Sequence, residues 1–264
     1  METPVAVSVA GSDNSGGAGI QADLKTFTHF KVYGVTVVTC IVAEVPGKVL
    51  SIQSAEPGVV RDQLEASLSY FPVSSIKTGM LYDRTNIDLF CDVYEGIAGR
   101  RPFLVVDPVM IASSGDPLIR PDAIEGYKSR LFSLADLVTP NLDEAGFVLD
   151  KKLDSLSGMR EAAFSLYEQY RVPFLVKGGH LKTNAATDLL IDSNGLTEFS
   201  EPYIHGFATH GTGCTYSAAI AANMALGRTL DDAVSRAKKY ITHAIADSFR
   251  WTSGFGDVSA LRHF

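Results

Sequence analysis

Thr209-His210-Gly211-Thr212-Gly213-Cys214 stands directly before an apolar helical run, Thr215–Leu226. Glycines let the backbone turn tightly and present successive N–H groups. A helix start adds unpaired N–H groups and the positive end of its dipole. Such a place holds anions and suits the charge that builds on a transferring phosphoryl group. Gly211, Thr212 and Gly213 are therefore candidate anion-hole residues, although a plain glycine turn with Thr212 as N-cap has the same spacing. Lys177-Gly178-Gly179-His180 closes another strand-like run. A lysine there holds a phosphate as a point charge, with a solvated surface lysine as the bland alternative. Asp107-Pro108 and Thr139-Pro140-Asn141-Leu142-Asp143-Glu144 follow two more strands. Carboxylates at neighbouring strand ends suit Mg²⁺, which keeps much of its water and takes one or two protein carboxylates. Asn141 and Glu144 are equally spaced as a helix cap and its third-position partner.

The N-terminal loop nearly fits two familiar patterns. Gly11 and Gly16 have the spacing of a phosphate-binding P-loop, but Gly17 stands where its lysine belongs. Gly17-Ala18-Gly19-Ile20-Gln21-Ala22 matches the G-x-G-x-x-A dinucleotide fingerprint, with Glu44 as an acidic ribose partner. That fingerprint should follow its strand at once, and Gly11–Gly16 intervene. An NAD-dependent dehydrogenase also leaves the loop before Thr215 unexplained.

The elements needed to place these groups alternate along the chain. Pro4–Ala10 is a β-branched run stopping at Gly11, and Ile20, Leu24 and Phe27 mark one face of a helix. Val35–Ala43 is nearly all apolar, as for a strand covered on both sides. Val59 or Val60, Leu64, Leu68 and Phe71 predict a second helix. Short strands are expected at Ser75–Thr78, Phe103–Asp107, Leu137–Thr139 and Pro173–Lys177. Thr187–Asp192 and Leu196–Phe199, joined through Ser193-Asn194-Gly195, predict a hairpin. Two long helices, Gly213–Leu226 and Leu230–Arg250, complete the pattern. Repeated βα units without a linker or internal repeat predict one domain over residues 1–264, a mostly parallel sheet with helices on both faces. Its ligands belong outside the carboxyl ends of the strands.

Composition narrows the class. A net charge of −7 argues against nucleic-acid and anionic-membrane partners, which want a basic face. Three cysteines without paired or metal-type spacing fit a reducing compartment. The Met-Glu-Thr-Pro start lacks the basic and apolar stretches of a signal peptide, and no apolar run spans a bilayer. A cytoplasmic protein is expected.

Six motifs, in order, resemble one family. Ala10-Gly11-Ser12-Asp13 with Ser15–Thr26 is similar to the opening signature of hydroxymethylpyrimidine/phosphomethylpyrimidine kinases. Asp107–Met110, Ser114-Gly115-Asp116, Thr139-Pro140-Asn141 with Glu144, Val176–Leu181 and His210–Thr215 resemble its later motifs. The resemblance runs from about Val5 to Ile245. It implies a ribokinase-like three-layer α/β/α fold, a homodimer, and MgATP-dependent phosphorylation of 4-amino-5-hydroxymethyl-2-methylpyrimidine and its monophosphate in thiamin biosynthesis. By the same resemblance Gly211, Thr212 and Gly213 form the anion hole and Lys177 contacts the ATP phosphates. Asp107 and Glu144 act around Mg²⁺, and Asn141 and Thr209 lie by the nucleotide. Gly11, Asp23, Glu44, Met80 and Lys238 border the substrate. Cys214 holds the position where sugar kinases of the wider superfamily carry an aspartate base. A thiol of ordinary pKa near ~8.5, lowered at a helix N-terminus, would accept the hydroxyl proton there. Phosphoryl transfer depends mainly on positioning and charge stabilisation, so the anion hole is expected to be the larger contribution. A small buried helix-start cysteine is the competing reading.

Departures from the family pattern bear on the substrate. The family usually has glutamine in an Ala-Gln-Asn-Thr segment after the second strand, where this chain has Ala43-Glu44-Val45-Pro46. An amide both donates and accepts across an aminopyrimidine edge, whereas an ionised carboxylate only accepts. Glu44 therefore suits the amino group or a protonated ring nitrogen, or it marks a pyridoxal/pyridoxine kinase on the same scaffold. A non-catalytic ligand-binding protein is disfavoured, because Lys177, Glu144 and His210–Thr215 are phosphoryl-transfer parts that a pure binder does not need.

Overall fold

The computed structural model describes residues 3–45, 47–110, 118–181, 184–206, 210–253 and 256–264. The first part comprises β1 (Val5–Asp13), α1 (Gly19–His29), β2 (Tyr33–Val45), β3 (Lys48–Ser54), α2 (Pro57–Tyr70), β4 (Val73–Thr78) and α3 (Arg84–Glu95). Then come β5 (Phe103–Val106), α4 (Pro121–Gly126), a π-turn, α5 (Phe132–Leu134), β6 (Leu137–Val138), α6 (Leu142–Leu149) and α7 (Leu156–Tyr170). The last part holds β7 (Phe174–Lys177), β8 (Ala185–Asp192), β9 (Gly195–Pro202), α8 (Thr212–Ala225), α9 (Leu230–Ala246), β10 (Phe249–Ser253) and β11 (Gly256–Ala260).

Nine strands form one sheet in the order β3-β2-β1-β4-β5-β6-β7-β8-β9. β2, β1, β4, β5, β6 and β7 run parallel, and β3, β8 and β9 are antiparallel additions at the two edges. The two-residue alternation of a strand divides the core. On β1 and β5, Val7, Val9, Leu104 and Val106 face the layer of α2–α7, while Ala6 and Val105 face α1, α8 and α9. Each fully buried aliphatic or phenylalanine side chain contributes about 1.5–3 kcal/mol over leaving it in water. α8 is nearly an alanine helix, so it lies close on the sheet, with Ala218, Ala219, Ala221 and Ala222 wholly buried. That close approach carries its N-terminus to the carboxyl ends of β4 and β5. The ribokinase-like α/β/α architecture expected from the sequence is present.

Three expectations change. β2 is not covered on both sides: Ile41 is 60% exposed although it pairs in the sheet with Gln53 of the short antiparallel β3, which the sequence reading did not assign. The helix expected to reach Arg250 stops at Ala246. Its continuation pairs as the hairpin β10–β11, in which Phe249, Trp251 and Thr252 supply strand propensity. The hairpin expected at Thr187–Phe199 is longer, β8–β9, and extends the sheet edge.

Candidate active site

At the carboxyl end of β1 the chain turns through residues that must be glycine. A Cβ on Gly11 would sit 2.8 Å from the Cys40 sulfur and 3.8 Å from that of Met80. Gly19 has φ +58° and its Cβ would meet the Gly11 carbonyl oxygen at 2.4 Å, so only glycine starts α1 this close to β1. Cys40, Val42 and Met80, with Val49, Ile52 and Val109 against them, form a small apolar cluster here, separate from the two main layers.

Glu44 stands beside this cluster on β2. The Asn14 side chain grips its backbone, accepting from its N–H at 2.7 Å and donating to its C=O at 3.1 Å. His210, from the other end of the chain, donates through Nε2 to Glu44 Oε1 at 2.9 Å and Asp13 Oδ2 at 3.1 Å. Hydrogen bonds to Asp13 and Glu44 push the imidazole up to about 9, so it is a cation at neutral pH. Burial works to raise Asp13, but His210, Ser15 and the N–H groups of Ala18 and Ser15 hold its carboxyl far below the usual range.

Next to this clamp the two glycine loops interlock. Gly211 has φ +77°, and a Cβ there would fall 1.8 Å from the Gly17 carbonyl oxygen. The start of α8 therefore rests directly on the N-terminal loop. A Cβ on Gly213 would lie 3.3 Å from Lys177 Nζ and 3.8 Å from Asp107 Oδ2. Lys177 donates to Asp107 Oδ1 at 2.8 Å, and Thr139 and Ser217 hydroxyls donate to the same carboxylate at 3.2 and 3.1 Å. Burial opposes the charge on Asp107, but Lys177 and Lys77 outweigh it and keep the carboxyl below its ordinary value. Lys177 itself is raised, because Asp107 and Glu144 outweigh its burial.

Glu144 caps α6 with Asn141 in a reciprocal pair. Its backbone N–H donates to Asn141 Oδ1 at 2.8 Å, and its Oε2 accepts from Asn141 N–H at 2.9 Å. Glu144 Oε1 takes the Met110 N–H at 3.1 Å. Burial pushes its carboxyl up to about 6 against the pull of Lys177. The bland helix-cap reading of these two residues is thus correct as far as it goes, and it brings Glu144 into the field of Lys177 and Asp107.

Beneath the floor lies a pair the sequence reading missed. Lys77 on β4 donates to both carboxylate oxygens of Asp23 on α1, at 3.0 and 2.9 Å, and Ser8 donates to Asp23 at 2.5 Å. Lys77 and Asp23 are wholly buried, and Asp23 keeps the ammonium charged against its burial. A lysine inside the strand Ser75-Ile76-Lys77-Thr78 was the available signal. Cys214 lies close enough to feel Lys77, but burial dominates and pushes its thiol up to about 11. The expected lowering at the helix N-terminus is therefore corrected: desolvation exceeds the effects of Lys77 and the Gly19 N–H.

Gly11, Met80 and Glu44 come together on the β1–β2 side, and Lys177, Asp107, Asn141, Glu144, Gly211, Thr212, Gly213 and Cys214 along the ends of β5–β7 and the start of α8. Asp23 is wholly buried against Lys77 and Ser8. Lys238 is not with the substrate group: it lies on α9 and pairs with Asp188 on β8. Four strands separate β8 from β1, about 24 Å at the usual strand spacing. Thr209 and Ser114-Gly115-Asp116 fall outside the described residues. Among those residues, no helix is long and apolar enough to cross a membrane.

The model of the family described as phosphomethylpyrimidine kinase matches residues 13–259. The hydroxymethylpyrimidine/phosphomethylpyrimidine kinase of Aquifex aeolicus is 38% identical over 252 residues, 95% of this chain and 98% of that one. A pyridoxal kinase from Staphylococcus aureus, solved with AMP-PCP and pyridoxal, superposes with a TM-score of 0.89 at 33% identity, over 100% of this chain and 94% of that one. A phosphomethylpyrimidine kinase from Clostridium difficile 630 gives 0.80 at 34% identity, over 92% and 100%.

Proposed function

The chain belongs to the phosphomethylpyrimidine kinase family, and from that premise we infer that it transfers a phosphoryl group from ATP to the hydroxymethyl oxygen of 4-amino-5-hydroxymethyl-2-methylpyrimidine, then a second to the resulting monophosphate, in thiamin biosynthesis. The observation that carries this is the convergence of the Lys177 ammonium, the Asp107 carboxylate and the glycine backbone that starts α8. A phosphoryl group in flight needs mainly alignment and charge stabilisation. The N–H groups of Gly211, Thr212 and Gly213 stabilise its equatorial oxygens. Lys177 holds the phosphates, with Asn141 beside the nucleotide. Gly11 and Met80 enclose the heterocycle, and Glu44 reads its amino edge. Asp23 supports that pocket from below through Lys77. A thiol raised to about 11 stays protonated near neutral pH, so Cys214 contributes shape to the cradle more than basicity.

Asp107 and Glu144 fit a divalent cation. Two buried carboxylates share the field of Lys177, and burial, with the neighbouring charge of Asp107 adding to it, raises Glu144. These two would hold Mg²⁺, which when bound screens the charge of the phosphates. A homodimer in the cytoplasm completes the reading; the exposed apolar residues Ile41, Val45 and Leu50 on the β2–β3 edge suit a self-contact.

A pyridoxal or pyridoxine kinase is the second reading, favoured by the close superposition on the Staphylococcus aureus pyridoxal kinase and by Glu44. An ADP-release assay with MgATP separates the two. Turnover of the hydroxymethylpyrimidine and its monophosphate is expected; turnover of pyridoxal or pyridoxine alone would replace the first reading with the second.

A further inference from the structure

Lys238 and Asp188 form a buried ion pair that the reaction as described does not use. Lys238 Nζ on α9 donates to Asp188 Oδ2 at 2.7 Å, and the two residues are 6% and 2% exposed. The other carboxylate oxygen, Oδ1, accepts the Gly178 backbone N–H at 3.0 Å. Asp188 is also the register partner of Lys177 across the antiparallel β7–β8 pair. The turn at Gly178 admits only glycine, since a Cβ there would fall 2.0 Å from the Thr187 carbonyl oxygen and 3.0 Å from Met159. The Tyr216 ring of α8, 5.9 Å from the Lys238 ammonium, closes the pocket from the side of the anion loop's own helix.

A carboxylate this buried is costly without a partner, and Lys238 is that partner. With the charge balanced, Asp188 is free to spend Oδ1 on the backbone immediately after Lys177. We propose that Lys238 is a positioning residue for the nucleotide side of the site: through Asp188 it fixes the Lys177–Gly178 turn, and so the ammonium of Lys177 that meets the phosphates of ATP. The proposal rests on the kinase reading above. It assigns Lys238 to ATP although the substrate heterocycle lies four strands away.

The test is steady-state kinetics and ADP-binding calorimetry on Lys238→Met, Asp188→Asn, Lys238→Arg and the double variant Asp188→Asn/Lys238→Met. Displacing a phosphate-holding group by a fraction of an ångström should raise KM for MgATP and Kd for ADP roughly tenfold in Lys238→Met, with KM for the hydroxymethylpyrimidine within about twofold. Asp188→Asn strands the ammonium and should behave alike. The double variant keeps an amide oxygen for the Gly178 N–H and leaves no unpaired charge, so it should recover much of the ADP affinity lost in either single variant. Lys238→Arg retains the charge and should recover part of it. A rise in KM for the alcohol alone would place Lys238 at the substrate and overturn the proposal. A lowered melting temperature with unchanged ADP affinity would reduce the pair to plain stability and overturn it too. Should the single variants fail to fold, the double variant decides: ADP affinity near wild type supports the proposal, and affinity as poor as with the Lys177 contact removed by Lys177→Met refutes it. Failure of the wild-type protein to bind ADP would sink the kinase reading itself, a result none of the variant comparisons can mimic.

Discussion

Gly211→Ala tests whether the interlocked glycine loops make the anion hole. Two costs enter. The first is conformational: alanine at φ +77° loses about 1–2 kcal/mol relative to glycine. The second is steric, because the new methyl would sit 1.8 Å from the Gly17 carbonyl oxygen, which is backbone and has no rotamer to change. Restoring an ordinary contact of ~3.3 Å means moving one loop by roughly 1.5 Å, and a misplacement of about 1 Å is enough to cost on the order of 10²-fold in rate. Loss of one anion-hole donor costs about 10²–10³ in kcat. The expected result is a fall in kcat of about 10²–10³, with KM for the alcohol changed by less than about threefold. Gly227→Ala is the matched control: φ is +75° at the far end of α8, and nothing lies within 4 Å of its Cβ. It should lose only the conformational part, about 1 kcal/mol, or about 2–4 °C in Tm for a chain of this size, with kcat unchanged. ADP-release kinetics and thermal melts on the two variants decide. If Gly211→Ala retains kcat within about threefold of wild type, the backbone at Gly211 is not part of the transition-state cradle and the reasoning fails.

Three further outcomes follow from the electrostatics. The Cys214 thiol, pushed up to about 11 by burial, should alkylate with iodoacetamide about tenfold faster per pH unit from 7 to 9; a plateau near pH 8 would show a reactive thiolate instead. His210 is raised from 6.5 to about 9, so its contribution to stability is complete below about pH 6.5 and disappears as pH rises through about 9. Wild-type Tm should therefore drop across pH 7–10 more than that of His210→Gln, and parallel curves would refute the clamp. Lys77→Met leaves the Asp23 carboxylate buried and unpaired, which should destabilise by about 3–5 kcal/mol in urea unfolding; Lys77→Met/Asp23→Leu should recover most of that loss.

Much of the fold was legible because period and punctuation agreed. β1, β4, β5 and β7 are short β-branched runs ending at glycine, aspartate or lysine, and α8 follows its glycine loop as expected. β3 escaped because a short edge strand with exposed alternate residues carries little apolar signal, and β10–β11, a separate two-stranded ribbon, because the helical pattern of Leu230–Arg250 runs into its first residues. In the candidate site, the gathering of Gly211–Gly213, Lys177 and Asp107 was foreshadowed by local pattern, since a glycine loop at a helix start and charges at strand ends both fall on the carboxyl side of a parallel sheet. Asp13, Lys77 and Asp188 were not, because each takes its role from a partner far along the chain: His210, Asp23 and Lys238. The Cys214 pKa was misjudged for a related reason. Spacing reveals the helix dipole, but only packing reveals how deeply the sulfur is buried.

The contact between His210 and Asp13 closes a loop of 197 residues, and Gly211 on Gly17 seals it. A growing chain makes these contacts only after the whole sheet from β1 to β9 has been synthesised. At synthesis rates of about 5–20 residues per second, the N-terminal loop waits on the order of 10–40 s for its partner to emerge. Throughout that time the strands from β1 to β9 are free to assemble, while the two glycine loops remain apart. On the proposed function, a chain that stops short of Gly211 is therefore a sheet without the loop that would steady a phosphoryl group, so ATP is safe from it until that loop has been made. Long-range closure of this kind also slows folding, and it makes the seam between the two loops the place where refolding after denaturant should finish last.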